Sequence, residues 1–337
     1  MKKNLFTIFI IAIPFAASSQ VLGDQPVNRS EYAFGTGPSN ALTDIGGAAI
    51  DGSHFLRDFN SKSIRYGGFA GYRKKISRSF SVKGVLTLGE LYGNDDLSIN
   101  TFRSNRNQDF RTFIIEPSVQ AEYHLIKPKK ASKDTVTQNE DNDEQNNQIH
   151  RPSRWDLYVF GGLGFFYFNP QGKYNPGGPP PPPGMNTDEW YNLRPLSTEG
   201  EGLPGGPSTY SPFAICVPVG IGIKYALNSN WSVGLEFSDR LWTSTDYLDD
   251  THGNYFNQAT IAKYKGPIAA YFADPSKGII QDQDLTGQER GNPKFNDSYM
   301  FMFLCVNYHP SFNFHRSTFK SRKIHTNHIR HGRGKFY

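Results

Sequence analysis

Residues 211–225, SPFAICVPVGIGIKY, constrain the fold of this chain more than any other segment. Phe213, Ile215, Val217, Val219, Ile221, Ile223 and Tyr225 occupy every second position, and Pro212, Ala214, Cys216, Pro218, Gly220, Gly222 and Lys224 stand between them. Successive side chains of a strand point to opposite faces, so one face is continuously apolar and the other is small or polar. The apolar face runs for about 40 Å at roughly 3.3 Å per residue. Tilted by about 45°, it matches the height of a bilayer's apolar band. The segment reads as a lipid-facing strand of a β-barrel in an outer membrane.

The amino terminus agrees with that location. Lys2 and Lys3 precede an apolar run from Leu5 to Phe15, and Ala17 and Ser19 offer small residues ahead of Gln20. This is the layout of a secretory signal peptide, residues 1–19, which is too short in its apolar part for a membrane anchor. No Cys follows the run, which argues against a lipoprotein. Cleavage removes both lysines and lowers the net charge from +5 to +3. The mean hydropathy of −0.56 is compatible with a barrel, whose lipid face is hidden by alternation and diluted by polar loops. Aromatic residues at 14% suit interfacial girdles, and 33 Gly with 22 Pro disfavour a helical bundle. The two cysteines, Cys216 and Cys305, fall in strand patterns and read as small strand residues.

The same period of two recurs along the chain. It appears in 231–238, in 112–125, in 156–167 and in 80–88, with less separable faces at 31–37, 63–74 and 298–309. Only Leu227-Asn228-Ser229-Asn230 separates the opening segment from Trp231, a tight hairpin signal. Pro117 and Pro218 inside strands each require a bulge or a gap in pairing. The expected fold is all-β: an eight-stranded antiparallel transmembrane β-barrel with long extracellular loops, spanning 20–309. The outer connections are 38–62, 93–108, 169–209 and 244–296; the inner ones are 75–78, 127–154 and 226–229. Long outside and short inside is the barrel rule, from which the polar, acidic 127–154 departs as an expected disordered periplasmic loop. Residues 310–337 form a basic tail carrying seven Lys or Arg and no acid, which emerges in the periplasm.

A barrel of eight strands is filled by its own side chains. The inward set includes Lys83, Glu116, Glu122, Lys224, Glu236 and Arg240, and Arg65 is added to it. Charges there are expected to pair across the lumen.

Two loop motifs stand out. Arg240-Leu-Trp-Thr-Ser-Thr-Asp246-Tyr247-Leu248-Asp249-Asp250 places three carboxylates within five residues. These admit three readings: turn capping, a partner contact, or oxygen ligands for a hard cation, although the spacing is not that of an EF-hand. The second motif is Trp190-Tyr-Asn-Leu-Arg-Pro-Leu-Ser-Thr198-Glu199-Gly-Glu201-Gly, which suggests a Gly-punctuated turn and lacks the Lys-Ser/Thr of a phosphate loop. A proline tract at 179–183 precedes it as a stiff spacer.

Enzymatic signatures are poor. There is no Gly-x-Ser-x-Gly, no HExxH and no His that sits near a Ser or Cys in a placed constellation. Five of the nine histidines fall at or after 309, leaving His252 next to Asp249 and Asp250 as the one candidate acid or base. Neither cofactor nor metal is expected, and nucleic acid is excluded by compartment.

Taken together, Phe34-Gly35, the Trp190 to Gly200 run, Pro218-x-Gly220-x-Gly222-x-Lys224-Tyr225 and Glu236…Arg240…Asp246-Tyr247-Leu248-Asp249-Asp250 resemble the PorG-like outer-membrane barrels. The resemblance covers most of 30–309; the polar insertion, the proline tract and the basic tail stand outside it. It implies a part in type IX protein secretion, beneath which the lipoprotein PorK and the protein PorN form a periplasmic ring. It implies no catalytic residue. The expected function is therefore a non-enzymatic structural component that anchors or positions that ring, in contact with outer-membrane lipid. The alternative is a surface-binding or adhesive barrel acting through its long loops, and a narrow conductance path is a third reading.

Overall fold

The computed structural model describes residues 30–45, 61–98, 100–127, 154–278 and 284–310. The leader, almost all of the 127–154 loop and the basic tail beyond 310 lie outside the described residues. Ten strands follow in chain order: β1 (Ser30–Leu42), β2 (Arg65–Lys75), β3 (Phe80–Asn94), β4 (Asp109–Ile126), β5 (Trp155–Tyr167), β6 (Pro170–Lys173), β7 (Trp190–Asn192), β8 (Phe213–Ala226), β9 (Trp231–Thr243) and β10 (Ser298–Tyr308). Eight of these form a closed antiparallel barrel in the order β3-β2-β1-β10-β9-β8-β5-β4, with β3 pairing back onto β4. Closure leaves no barrel edge open for further pairing. The opening sequence segment is β8, the sixth barrel strand.

The barrel is apolar outside and charged inside, the reverse of a water-soluble protein. Phe213, Ile215, Ile221 and Ile223 of β8 are exposed while Ala214, Cys216 and Lys224 are buried, and the other strands alternate in step. Only lipid makes such an exterior favourable, because a band this size would be a costly apolar patch in water. One aromatic residue from every barrel strand rings one end: Tyr32 with Tyr72, Phe80 with Tyr123, Trp155 with Tyr225, and Trp231 with Tyr308. Amphipathic rings settle at a membrane–water interface, so this girdle marks one membrane face, the one that the tight turns lead us to expect as the inner rim. Tyr32 pairs with Tyr308, which puts both ends of the described chain at that rim beside the tight turns. The turns occupy 76–79, one residue later than the expected 75–78, and 227–230, which is the Leu227–Asn230 hairpin signal.

Both strand prolines disturb the ladders. On the β5 side of β4 the pairing passes from Ile115↔Tyr167 to Ser118↔Gly164, leaving Glu116 and Pro117 out, while Pro117 still faces Leu86 of β3. At Pro218 the β8–β9 register slips between Val217↔Trp242 and Pro218↔Arg240. Leu241 becomes the extra residue of a bulge, and Leu241 and Trp242 both turn outward.

The long connections are not featureless, a departure from the all-loop expectation. β6 pairs with the outer end of β4 and β7 pairs with β6, forming a short ribbon inside the third outer connection. Three α-helices also occur among the described residues: α1 (Thr101–Arg106), α2 (Gln258–Lys265) and α3 (Pro267–Ala273). Asn100 and Asn257 cap α1 and α2 by accepting from early backbone N–H groups. Gly266 at φ 91° ends α2, and Pro267 opens α3 at the position where its missing N–H is harmless. These short helices carry no period-two signal; Ile261 of α2 and Ala269 to Ala273 of α3 are buried, while Phe102 of α1 and Tyr264 of α2 stay exposed.

The narrow lumen explains the small face of β8. A Cβ at Gly220 would lie 2.2 Å from the backbone oxygen of Phe237 and 2.3 Å from the Phe160 ring. Gly84 has no neighbour within 4 Å of that position. Gly220→Ala is expected to cost about 1–3 kcal/mol of overpacking strain, and Gly84→Ala almost nothing. Urea unfolding in lipid vesicles, followed by the gel shift of the heat-modifiable band, checks the contrast.

Candidate functional site

Two polar constellations occupy the interior, one in the lumen and one in the cap over its outer mouth. Alternation on β1, β2, β3, β4, β5, β8 and β9 delivers the lumen charges. Arg73 is the hub: it pairs with Glu31, with Glu122 at 2.6 Å and with Glu236 at 3.9 Å. Lys83 bridges Glu236 at 2.8 Å and Glu122 at 3.6 Å. Lys224 joins Glu31 at 3.2 Å to Asp156 at 3.6 Å, and Tyr158 donates to Glu236 at 2.8 Å. Nearer the outer mouth, Arg240 grips Glu116 with two bonds of 2.7 and 2.8 Å, and Tyr299 donates to the same carboxylate at 2.9 Å. Phe69, Phe303 and Phe301 follow one another between Lys83 and Arg240, the first pair edge to face and the second stacked, so aromatic rings link the two ion clusters.

Lys83, Glu116, Glu122, Lys224, Glu236 and Arg240, the six residues that alternation points inward, sit in the lumen with opposite charges against them. Arg65 does not. Its side chain is one-third exposed at the outer rim, 3.6 Å from Glu90 and over the ring of Tyr92 at 3.8 Å. The hub itself escaped the sequence reading: Arg73 stands next to Lys74 and Lys75, and three adjacent bases conceal which one points inward. The run Gly67, Phe69, Gly71, Arg73 was the signal that could have found it.

The lumen also holds a constellation invisible in linear sequence. Ser81 and His124 share a hydrogen bond of 2.7 Å, and His124 meets Asp156 at 2.6 Å. The three residues come from β3, β4 and β5, and the distances are those of a nucleophile, base and orienting acid. Ser81 and His124 are each only 1% exposed, and Lys224 binds the same Asp156. An acyl group has no approach to the Ser81 oxygen, so the line serves as a satisfied branch of the lumen network.

Breaking one partner of such a network leaves a stranded buried charge, at about 3–5 kcal/mol. Lys83→Met is therefore expected to lower barrel stability by that order, and Lys83→Met with Glu236→Gln to recover part of it. Equilibrium unfolding in lipid vesicles measures both.

Over the outer mouth the two loop motifs meet. Thr198 and Tyr210 donate to the Asp250 carboxylate at 2.6 and 2.5 Å. Glu199 accepts from the backbone N–H groups of His252 and Gly253, each at 3.0 Å, and from Arg290 at 3.0 Å. Arg290 also donates to the Asp250 carbonyl at 2.7 Å. Asp249 accepts from the N–H groups of Ile45 at 2.8 Å and Thr251 at 2.9 Å, and Asp246 meets His252 at 2.7 Å. Tyr247 stacks between Tyr210 at 4.2 Å and His252 at 4.8 Å. The Gly-punctuated turn is made by Ser197, Gly200 and Gly202, all at positive φ. Trp190 is not part of this junction; it lies on β7 beneath the guanidinium of Arg111, 4.5 Å away.

Asp249 accepts from the N–H of Thr251 two residues on, as a turn aspartate does, whereas the Asp250 carboxylate accepts from hydroxyls of the other connection. Among the described residues no group of three or more Asp, Glu, His or Cys stands in metal-holding geometry. Crowding raises the proton affinity of the cap aspartates. Burial, then Asp249, Asp44 and Glu199, push Asp246 up to about 9. Burial and Asp44 push Asp249 up to about 7, and burial and Glu201 do the same to Asp250. Folded values above the ordinary aspartate value mean that the fold favours the protonated form. That contribution is complete at acidic pH and is lost as pH rises through 7 to 9. The cap should loosen between pH 6 and pH 9.5, with Asp246→Asn blunting the upper part of the change. Hydrogen exchange across 244–256, corrected for its intrinsic pH dependence, reads this out.

No protein-family model matches the chain, and no curated protein matches it. Solved structures that are similar to it are small outer-membrane proteins. Ail, the attachment invasion locus protein of Yersinia pestis in complex with the heparin analogue sucrose octasulfate, is 9% identical at a TM-score of 0.34, over 84% of this chain and 99% of that one. Neisserial surface protein A is 10% identical at a TM-score of 0.33, over 85% and 99%. AlkL in DMPC bilayers is 11% identical at 0.28, over 92% and 97%. The assignment of a closed eight-stranded membrane barrel rests on the ladder and the lipid-facing band described above.

Proposed function

We propose that the chain, freed of its leader at 1–19, is a non-enzymatic structural barrel of the outer membrane that serves type IX secretion by anchoring or positioning a periplasmic ring. The observation that carries the structural half is the lumen: buried cations and carboxylates are paired across it, so the barrel is built as a stiff plugged post. The same observation disfavours a conductance path. The secretion half rests on the resemblance of the motifs to PorG-like barrels. Its two loop motifs form one cap here, which accounts for their occurring together as a requirement of folding. The inner rim, with its short turns and both ends of the described chain, is the surface offered to PorK and PorN.

Pull-down of the tagged barrel from solubilised outer membranes should recover PorK and PorN, and a deletion strain should lose type IX cargo from the medium. Intact secretion in that strain would overturn the secretory role. A fluorophosphonate probe should leave Ser81 unlabelled, since labelling there would contradict the non-enzymatic reading.

The alternative is a surface-binding barrel working through 169–209 and 244–296. The observation favouring it is that these connections carry their own folded elements, β6, β7, α2 and α3, which a mere linker would not need. Replacing both with short turns separates the readings: secretion retained with surface binding lost supports adhesion.

A further inference from the structure

A cleft of about 310 Å³ opens on the outer wall of the barrel and is lined by Glu90, Arg111, Thr112, Phe113, Asn169 and Gln171. It forms where the β4–β5 ladder ends and β6 takes over the pairing with Arg111 and Thr112. Arg111 is half committed. Its Nε donates to Gln171 at 2.8 Å and its guanidinium lies over Trp190, but its terminal nitrogens donate to no group among the described residues. Gln171 and Asn169 are held in place by Asn192, which accepts from them at 2.8 and 2.9 Å. The lower lip is Phe113, 54% exposed and continuous with the lipid-facing band through Ile115 and Tyr167.

We infer that this cleft binds the phosphorylated sugar headgroup of an outer-leaflet glycolipid. The terminal nitrogens of Arg111 are a fork for a phosphate. Glu90 in the same cleft disfavours a ligand that is only anionic and suits sugar hydroxyls, which donate to it and to the Asn169 amide oxygen. Phe113 points to the source. A headgroup seated above it has its acyl chains against the apolar wall, whereas a free sugar phosphate gains nothing from that lip. The inference rests on the reading that the long connections face the outer leaflet, but not on any role in secretion.

The test uses the purified, full mature chain in phosphatidylcholine vesicles. These carry diphosphorylated diglucosamine glycolipid (lipid A), its dephosphorylated form, or phosphatidylglycerol. Lipid retained after detergent extraction is counted by native mass spectrometry. Wild type should retain lipid A in preference to the other two, and Arg111→Gln should lower that retention by about tenfold or more. Arg111→Lys should fall between them, and Lys263→Gln on α2 should match wild type. Heat-modifiability confirms that each variant is folded. Equal retention of phosphatidylglycerol or of the dephosphorylated lipid by wild type would overturn the inference. So would unchanged retention in a folded Arg111→Gln, or displacement of bound lipid A by millimolar glucosamine phosphate. Because vesicles contain no secretion machinery, failure here leaves the proposed function standing, and loss of that function leaves the cleft standing.

Discussion

Everything else in this structure depends on pairing charge inside a narrow tube that is surrounded by lipid. Arg73 illustrates the constraint. Its guanidinium lies against Glu31, Glu122 and Glu236, contributed by β1, β4 and β9, so one side chain ties three separated strands together. Water is excluded from these groups, and an isolated charge there would be prohibitive; mutual compensation is what makes the filling tolerable. It also locks register. A slip of one residue on any contributing strand would send its carboxylate into the bilayer and an apolar side chain into the lumen.

The plug and the cap solve different problems with the same materials. In the lumen, carboxylates meet permanent cations, and aromatic rings fill the space between Lys83 and Arg240. In the cap, Asp249 and Glu199 meet mostly backbone N–H groups, while Asp246, Asp249 and Asp44 crowd one another. Cations there are fewer, which is why the aspartates hold their protons toward neutral pH. The lumen is thus the durable half of the molecule, and the cap is the half whose strength follows its surroundings.

Polar chemistry also appears on the outer wall, where Arg111, over Trp190, and Glu90 gather beside Phe113 of β4. Both ends of the barrel are dressed with rings, but differently. At the inner rim they pair with one another around the circumference; at the outer rim Tyr167 with Phe213 and Tyr92 with Trp190 also pair, but there Tyr92 and Trp190 lie in addition beneath Arg65 and Arg111. That asymmetry fits a tube whose two ends meet different interfaces.

Alternation alone determined much of this protein. It named β8, its hairpin to β9 and six inward charges, and together with connection lengths the total of eight barrel strands, because a strand in lipid keeps period two wherever no bulge interrupts it. Pro117 and Pro218 also announced their faults, since a missing N–H disturbs a ladder wherever it falls. Only the tertiary structure decided which charges touch: that Arg73 is the hub, that Arg65 leaves the lumen for the rim, and that Ser81, His124 and Asp156 align. It alone joined Thr198 and Glu199 to Asp250 and His252 while setting Trp190 apart. The physical reason is shear. Contacts across a barrel depend on strand tilt and on where each ladder starts, and a pattern read along one strand carries the facing of a side chain but not its height.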